Sequence, residues 1–170
     1  MLKKRKDIPA MSASSEILER WCLDRCWVEQ FEVLLPDVDA VSFDVFDTAL
    51  TRVVDAPVDV FALVEKRLVS CHGSLFVGYA TWRETAEYNA RANAWRKGRR
   101  EIHFDDILDE LVYSGAVHEI YRQDMFEVEV QAERDCCFAV PEIRVAYDSC
   151  IERKIPVIFV SDMYLSGEVI

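Results

Sequence analysis

The sequence predicts an α/β chain, mostly helical by residue count, in which two adjacent parallel strands are interrupted by a mainly helical insert. Two short apolar runs, Ala40-Val41-Ser42-Phe43 and Ile155-Pro156-Val157-Ile158-Phe159-Val160, are bounded by turn or charged residues and are too short for helices, so both read as buried strands. From Pro57 to about Lys154 the apolar spacing is helical instead. One crossover helix is enough to join two parallel strands, so roughly three of the intervening helices are surplus to a simple βαβ unit. Surplus helices at such a place form an inserted subdomain, and inserts of this kind commonly cover the carboxyl ends of the strands, where α/β sheets bind ligands.

Taken in order, residues 1–13 open with Met1-Leu2-Lys3-Lys4-Arg5-Lys6 and read as a disordered basic tail; no apolar run follows, so they do not make a secretory signal. Residues 14–36 read as a leader helix, with Ser14 or Ser15 as its cap, Ile17, Leu18, Trp21, Trp27, Val28 and Phe31 along it, and Pro36-Asp37 as its break. Residues 37–56 hold the first strand. The insert spans 57–140: Pro57 suits a first helical position before Val60, Leu63, Val64 and Leu68. Tyr79, Trp82, Ala86, Ala90 and Asn93 mark a second helix, Phe104, Ile107, Leu108 and Leu111 a third, and Val117, Ile120, Tyr121, Val128 and Ala132 a fourth ending near Cys136-Cys137. Residues 141–170 return to the core, with a helix opened by Pro141, then the second strand.

Composition narrows the partners. Net charge is −11, and the one basic knot, Arg96-Lys97-Gly98-Arg99-Arg100, runs straight into acidic helix, so it reads as a solvated loop and nucleic acid is not an expected partner. No stretch approaches the roughly 20 apolar residues of a membrane span. The six cysteines form no C-x-x-C pair and the three histidines are scattered, which argues against structural zinc and for reduced thiols in a cytoplasmic protein.

Chemistry concentrates at the strand ends. In Phe43-Asp44-Val45-Phe46-Asp47-Thr48 a strand finishes on a carboxylate, which sets that oxygen at the sheet rim beside the N–H groups of the next loop. There Asp44 could bind Mg²⁺ and attack phosphorus, with Thr48 bracing the loop. The same residues equally describe a strand that merely ends in a turn. Val157 to Val160 is followed by Ser161, whose hydroxyl could donate to a phosphoryl oxygen, cap a helix over Leu165–Ile170, or do both.

These segments resemble motifs I and II of the haloacid dehalogenase-like (HAD) hydrolases. The wording Ser42-Phe43-Asp44-Val45-Phe46-Asp47-Thr48 with Ser161-Asp162-Met163-Tyr164-Leu165 looks like a bacterial group of HAD hydrolases, some of them associated with glycosyltransferases or surface-polysaccharide genes. That group tends to carry Arg-x-x-Ala-Glu-x-x-Ala-Arg in its cap, close to Arg83-Glu84-Thr85-Ala86-Glu87-Tyr88-Asn89-Ala90-Arg91 here. The resemblance covers about Asp39 to Ile170. It implies a partial Rossmannoid core under a helical cap. Asp44 would be nucleophile and Mg²⁺ ligand, the Phe46 backbone carbonyl a second metal ligand, and Ser161 the phosphate-binding hydroxyl, with Thr48 and Asp162 beside the substrate.

Two departures bear on activity. The family's phosphatases carry an Asp acid/base two residues after the nucleophile, where this chain has Phe46; Asp47 is the candidate to replace it. A missing proton donor costs about 10²–10⁴ in rate. An aromatic residue there is also reminiscent of the dehalogenase branch, which attacks carbon and needs no metal. The family further uses a Lys and an acidic pair from later motifs, whereas this chain stops nine residues past Ser161, so the 170 residues alone are expected not to turn over substrate. Association, or completion by a missing C-terminal part, is expected because two strands leave sheet edges and apolar faces uncovered.

Arg83, Glu87 and Arg91 fall on one helical stripe. They read either as an exposed ion-pair ladder or as a cap face offering Arg83 and Arg91 to an anionic substrate. For Glu129, Glu133 and Glu127, a solvated acidic face or pairing with the cap arginines is expected rather than catalysis. The expected function is therefore a Mg²⁺-dependent phosphatase of a small phosphorylated compound. A hydrolase acting at carbon and a non-catalytic binding or regulatory module are the alternatives.

Overall fold

The computed structural model describes residues 26–169. The basic tail and the capped start of the leader helix lie outside the described residues. What is described is mixed α/β and mostly helical, with a two-stranded parallel sheet and a second two-stranded sheet. The chain divides into two compact units. One is Met1–Ala49, as far as it is described, with Ala139–Val160; the other is Leu50–Phe138 with Ser161 to the last described residue.

In the first unit, α1 (Cys26–Leu34) ends in a 3₁₀ turn, Leu35–Asp37, where Pro36 stops the helix. Strand β1 (Val41–Asp44) follows, and the unit closes with α6 (Pro141–Glu152) and β4 (Val157–Val160). Strands β1 and β4 are parallel, with Val41 opposite Val157 and Asp44 opposite Val160. The ladder is extended by Val41 N–H to the Pro156 carbonyl (2.9 Å) and Val45 N–H to the Val160 carbonyl (3.1 Å). Phe43, Ala49 and Ala146 are buried, with Trp27, Phe31, Ile143 and Tyr147 packed around them. Helix α1 packs on α6, and Arg153 pairs with Glu32 across them.

Both strands were expected to be buried; the structure corrects this. Ser42 and Asp44 are exposed, and Ile158, Phe159 and Val160 stand 57%, 51% and 56% exposed. The cause is numerical: among the described residues of this unit, two strands and two helices cannot cover both faces of a sheet. Phe159 is partly sheltered by tilted ring contacts, its ring 6.0 Å from Phe43 and 5.9 Å from Tyr147.

The second unit begins seven positions before the expected insert boundary at 57, because Leu50–Arg52 forms β2, which pairs with β3 (Cys137–Ala139) at the stem. Neither strand is visible from periodicity, since each is three residues long. Four helices follow β2: α2 (Asp59–His72), α3 (Tyr79–Arg96), α4 (Phe104–Tyr113) and α5 (Arg122–Cys136). Pro57 is not the first helical residue; it sits in the turn before Asp59, whose carboxylate accepts the Ala56 N–H at 2.8 Å. Gly78, at φ +95°, starts α3, and Glu65 of α2 accepts both the Gly78 and Ala80 N–H groups at 3.0 and 2.9 Å. A carboxylate there satisfies orphan donors and complements the helix dipole. His103 and Asp106 form a capping box on α4, and Arg99 holds Asp106. The expected fourth helix starts later than Val117: a 3₁₀ turn at Glu119–Tyr121 intervenes. Val60, Val64, Leu68, Ile107, Leu111 and Met125 form the centre of this unit's core.

After β4 the chain does not make the helix considered for Leu165–Ile170. It runs as bends and a turn, with Tyr164 and Leu165 buried in the second unit's core.

Candidate functional site

The first group of candidates lies in the loop after β1. The sheet geometry turns alternate side chains to opposite faces, so buried Phe43 faces the core and Asp44 is exposed. The Thr48 hydroxyl donates to Asp44 Oδ2 at 2.9 Å, and the Asp44 carbonyl accepts the Ala49 N–H at 3.2 Å. The loop therefore closes on the strand end, and one carboxylate oxygen is oriented by a neighbour four residues on. Asp47 is exposed and left-handed, at φ 58°, a conformation that Asp tolerates better than most residues. Phe46 is half-buried in the same loop. Asp44, Phe46, Asp47 and Thr48 are thus brought together in one turn.

The second group follows β4. Ser161 comes directly after Val160, the residue opposite Asp44 in the ladder. Its hydroxyl oxygen accepts the Met163 N–H at 3.2 Å, which makes a local turn of the kind that serine favours. Asp162 is exposed.

The cap arginines part company. Arg91 is exposed, and its guanidinium is bound by Glu87 at 2.7 and 3.0 Å. Arg83 is fully buried, and the expectation that it faces an open cap surface is corrected. Its Nε and Nη2 donate to Glu129 at 2.8–3.1 Å and its Nη1 to Glu87 at 3.1 Å. The guanidinium carbon lies 4.5 Å from the Phe61 ring centre, 4.8 Å from Tyr164 and 5.5 Å from Phe104. Stacking and a forked carboxylate suit an arginine. Arg83 is a core residue committed to Glu129, with no donor directed at solvent.

Around this pair lies what the sequence reading missed. The hydroxyls of Tyr164 and Tyr79 both donate to Glu129, at 3.0 and 3.4 Å. Burial raises the Glu129 carboxyl despite the opposing pull of Arg83. Burial works to lower Arg83, but Glu129 outweighs it and holds the guanidinium above the ordinary arginine range. Both phenols are pushed up, by burial first and then by the Glu129 charge. One turn along α5, buried Glu133 accepts two bonds from Arg52 of β2, at 2.9 and 3.3 Å. Pairing of the glutamates with the cap arginines was one of the two alternatives, and Glu129 follows it. Arg52 carried no signal, because its partner is 81 residues away.

Elsewhere in the second unit a cleft of about 220 Å³ is lined by Trp82, Thr85, Asn89, Glu110 and Ser114, none of them a sequence candidate. Among the described residues no three His, Cys, Asp or Glu side chains gather as a metal centre, and no helix is long and apolar enough to cross a membrane. Magnesium takes six oxygens. The β1 loop offers the right kind of donor, an exposed carboxylate and backbone carbonyls, but not the full set.

The chain matches no protein-family model and no curated protein.

Proposed function

We propose that the chain is the nucleophile-bearing part of a HAD-like hydrolase acting on a small phosphorylated compound. One observation carries the reading: β1 and β4 are parallel neighbours in a register that sets Asp44 opposite Val160, the residue before Ser161. That is how two strand tips must be arranged if one supplies a nucleophile and the other a phosphoryl contact.

In this reading an Asp44 carboxylate oxygen attacks phosphorus and displaces the alkoxide leaving group, giving an aspartyl-phosphate that water then hydrolyses. Thr48 orients the carboxylate by holding Oδ2. Ser161, whose oxygen accepts the Met163 N–H, keeps its own proton for a phosphoryl oxygen. Asp47 is the acid/base candidate and Asp162 an additional substrate contact. A bound Mg²⁺ would supply charge neutralisation between carboxylate and phosphate. Asp44 and the Phe46 carbonyl would be its ligands from this chain. A cytoplasmic location accords with four described cysteines that are free thiols. Association through the uncovered face of β4 accords with the exposure of Ile158 and Val160.

The test is release of inorganic phosphate from a panel of small phosphorylated compounds by the protein in its full reading frame. Asp44→Asn should lower the rate at least ~10³-fold, as expected for loss of a nucleophile. Undiminished turnover in that variant would sink the reading. Phe46 favours a second one, attack at carbon. Halide release unaffected by a chelator would identify it.

A further inference from the structure

The backbone leaving Ser161 is fastened to buried charges of the second unit, and both fastenings start from one helix. On α5, Glu129 and Glu133 lie one turn apart, 0% and 4% exposed. Glu129 accepts the Tyr164 hydroxyl at 3.0 Å. Glu133 holds Arg52, whose Nη2 reaches the Met163 sulfur at 3.6 Å. The Tyr164 carbonyl in turn accepts the Phe104 N–H at 3.0 Å, and the Tyr164 ring lies 5.4 Å from that of Phe104 and 4.8 Å from the Arg83 guanidinium. Ring, hydroxyl and carbonyl of Tyr164 are thus each fixed from a different direction, three residues after Ser161. The short path between them is itself closed by the Met163 N–H bond to the Ser161 hydroxyl.

We propose that Tyr164 is a positioning residue: the buried Arg83–Glu129 pair holds its hydroxyl and thereby fixes the turn in which the Ser161 hydroxyl sits. The role of Ser161 as a phosphoryl contact rests on the function proposed above; the tether itself does not. A buried ion pair stabilises little compared with apolar packing of the same volume, but its bonds are directional. An apolar Tyr164 environment would hold the ring's volume and leave its rotation and the turn's register less defined. Here every buried side-chain polar atom among the described residues has a partner, so the cluster specifies one arrangement. The helical insert would then set the pose of the strand-end serine through residues that never touch substrate.

Amide hydrogen exchange of the full chain, compared with Tyr164→Phe, tests the tether. The substitution keeps the ring and deletes only the hydroxyl bond to Glu129. Exchange of the Met163 amide, bonded to the Ser161 hydroxyl, and of the Phe104 amide, bonded to the Tyr164 carbonyl, should accelerate about tenfold, the effect of one hydrogen bond to a charged group, while amides of α3 and of α4 beyond its first turn keep their protection. Unchanged exchange of Met163 and Phe104, or equal acceleration through the rest of α4, would overturn the proposal. A parallel titration of the protein in its full reading frame with inorganic phosphate and Mg²⁺ separates the two claims. Ser161→Ala and Tyr164→Phe should both weaken phosphate, the second several-fold. If Ser161→Ala has no effect, or wild type binds none, the phosphoryl reading falls and exchange alone decides the tether. If Ser161→Ala weakens binding and Tyr164→Phe does not, the positioning role falls.

Discussion

Replacing Arg83 by Met removes one half of an ion pair whose two side chains are both 0% exposed. Three short guanidinium bonds to Glu129 and one to Glu87 vanish, while the Met thioether still packs against Phe61, Phe104 and Tyr164. What remains is a carboxylate with two tyrosine hydroxyls and no counter-charge. Breaking one side of such a pair costs about 3–5 kcal/mol. At 2–4 °C per kcal/mol for a chain of this size, the melting midpoint should drop roughly 6–20 °C at neutral pH. The loss should also depend on pH, with a definite sign. Burial already raises Glu129 above its ordinary 4.5, and without Arg83 it rises further. A carboxyl raised in the folded state binds its proton more tightly there than in the unfolded chain. The variant's stability is therefore fully present below about pH 4.5 and is lost as pH climbs through the folded value. Urea unfolding at pH 4, 6 and 8 should show the gap to wild type widening with pH. The double variant Arg83→Met, Glu129→Gln keeps an acceptor for both tyrosines and removes the stranded charge, so it should regain most of the loss at pH 8. A deficit below 1 kcal/mol in the single variant, or a double variant no better than the single, would refute the reasoning.

Two further outcomes follow from backbone and thiol geometry. Lys154 ends α6 in the left-handed conformation, φ 59°, with the Ile155 N–H bonded back to Cys150 at 2.9 Å; Lys154→Gly should stabilise by about 1 kcal/mol, and a lower urea midpoint would contradict it. Burial raises the thiols of Cys136, Cys137 and Cys150, that of Cys137 to about 11 with Glu133 adding to it, whereas Cys71 is exposed. At pH 8 a disulfide reagent should modify Cys71 at least ~10-fold faster than those three, read by peptide mapping, and equal labelling of Cys137 would refute this.

Much of the layout was legible beforehand because it is local. The strand pair, the surplus of helices between them and most helix cores follow from apolar periodicity, which each segment carries within itself. Asp44 and Thr48 were readable for the same reason: four residues apart in one loop, they find each other without help from the rest of the chain. Errors fell where partners are distant. Strands β2 and β3 are too short to show a period and exist because they pair across the stem of the insert. Arg83 shows the limit most clearly. Its stripe with Glu87 and Arg91 is real, but sequence spacing cannot tell which end of a stripe turns inward.

By itself, the sequence determined the order and type of the main elements and put a carboxylate and a hydroxyl at two strand ends, since those depend on residues near in the chain. Only the tertiary structure decided that Glu129 neutralises Arg83, that Arg52 answers Glu133, and that Tyr164 closes the cluster. Those bonds join residues 35 to 81 positions apart. They form because a charge carried out of water by the packing of four helices must find its counterpart there.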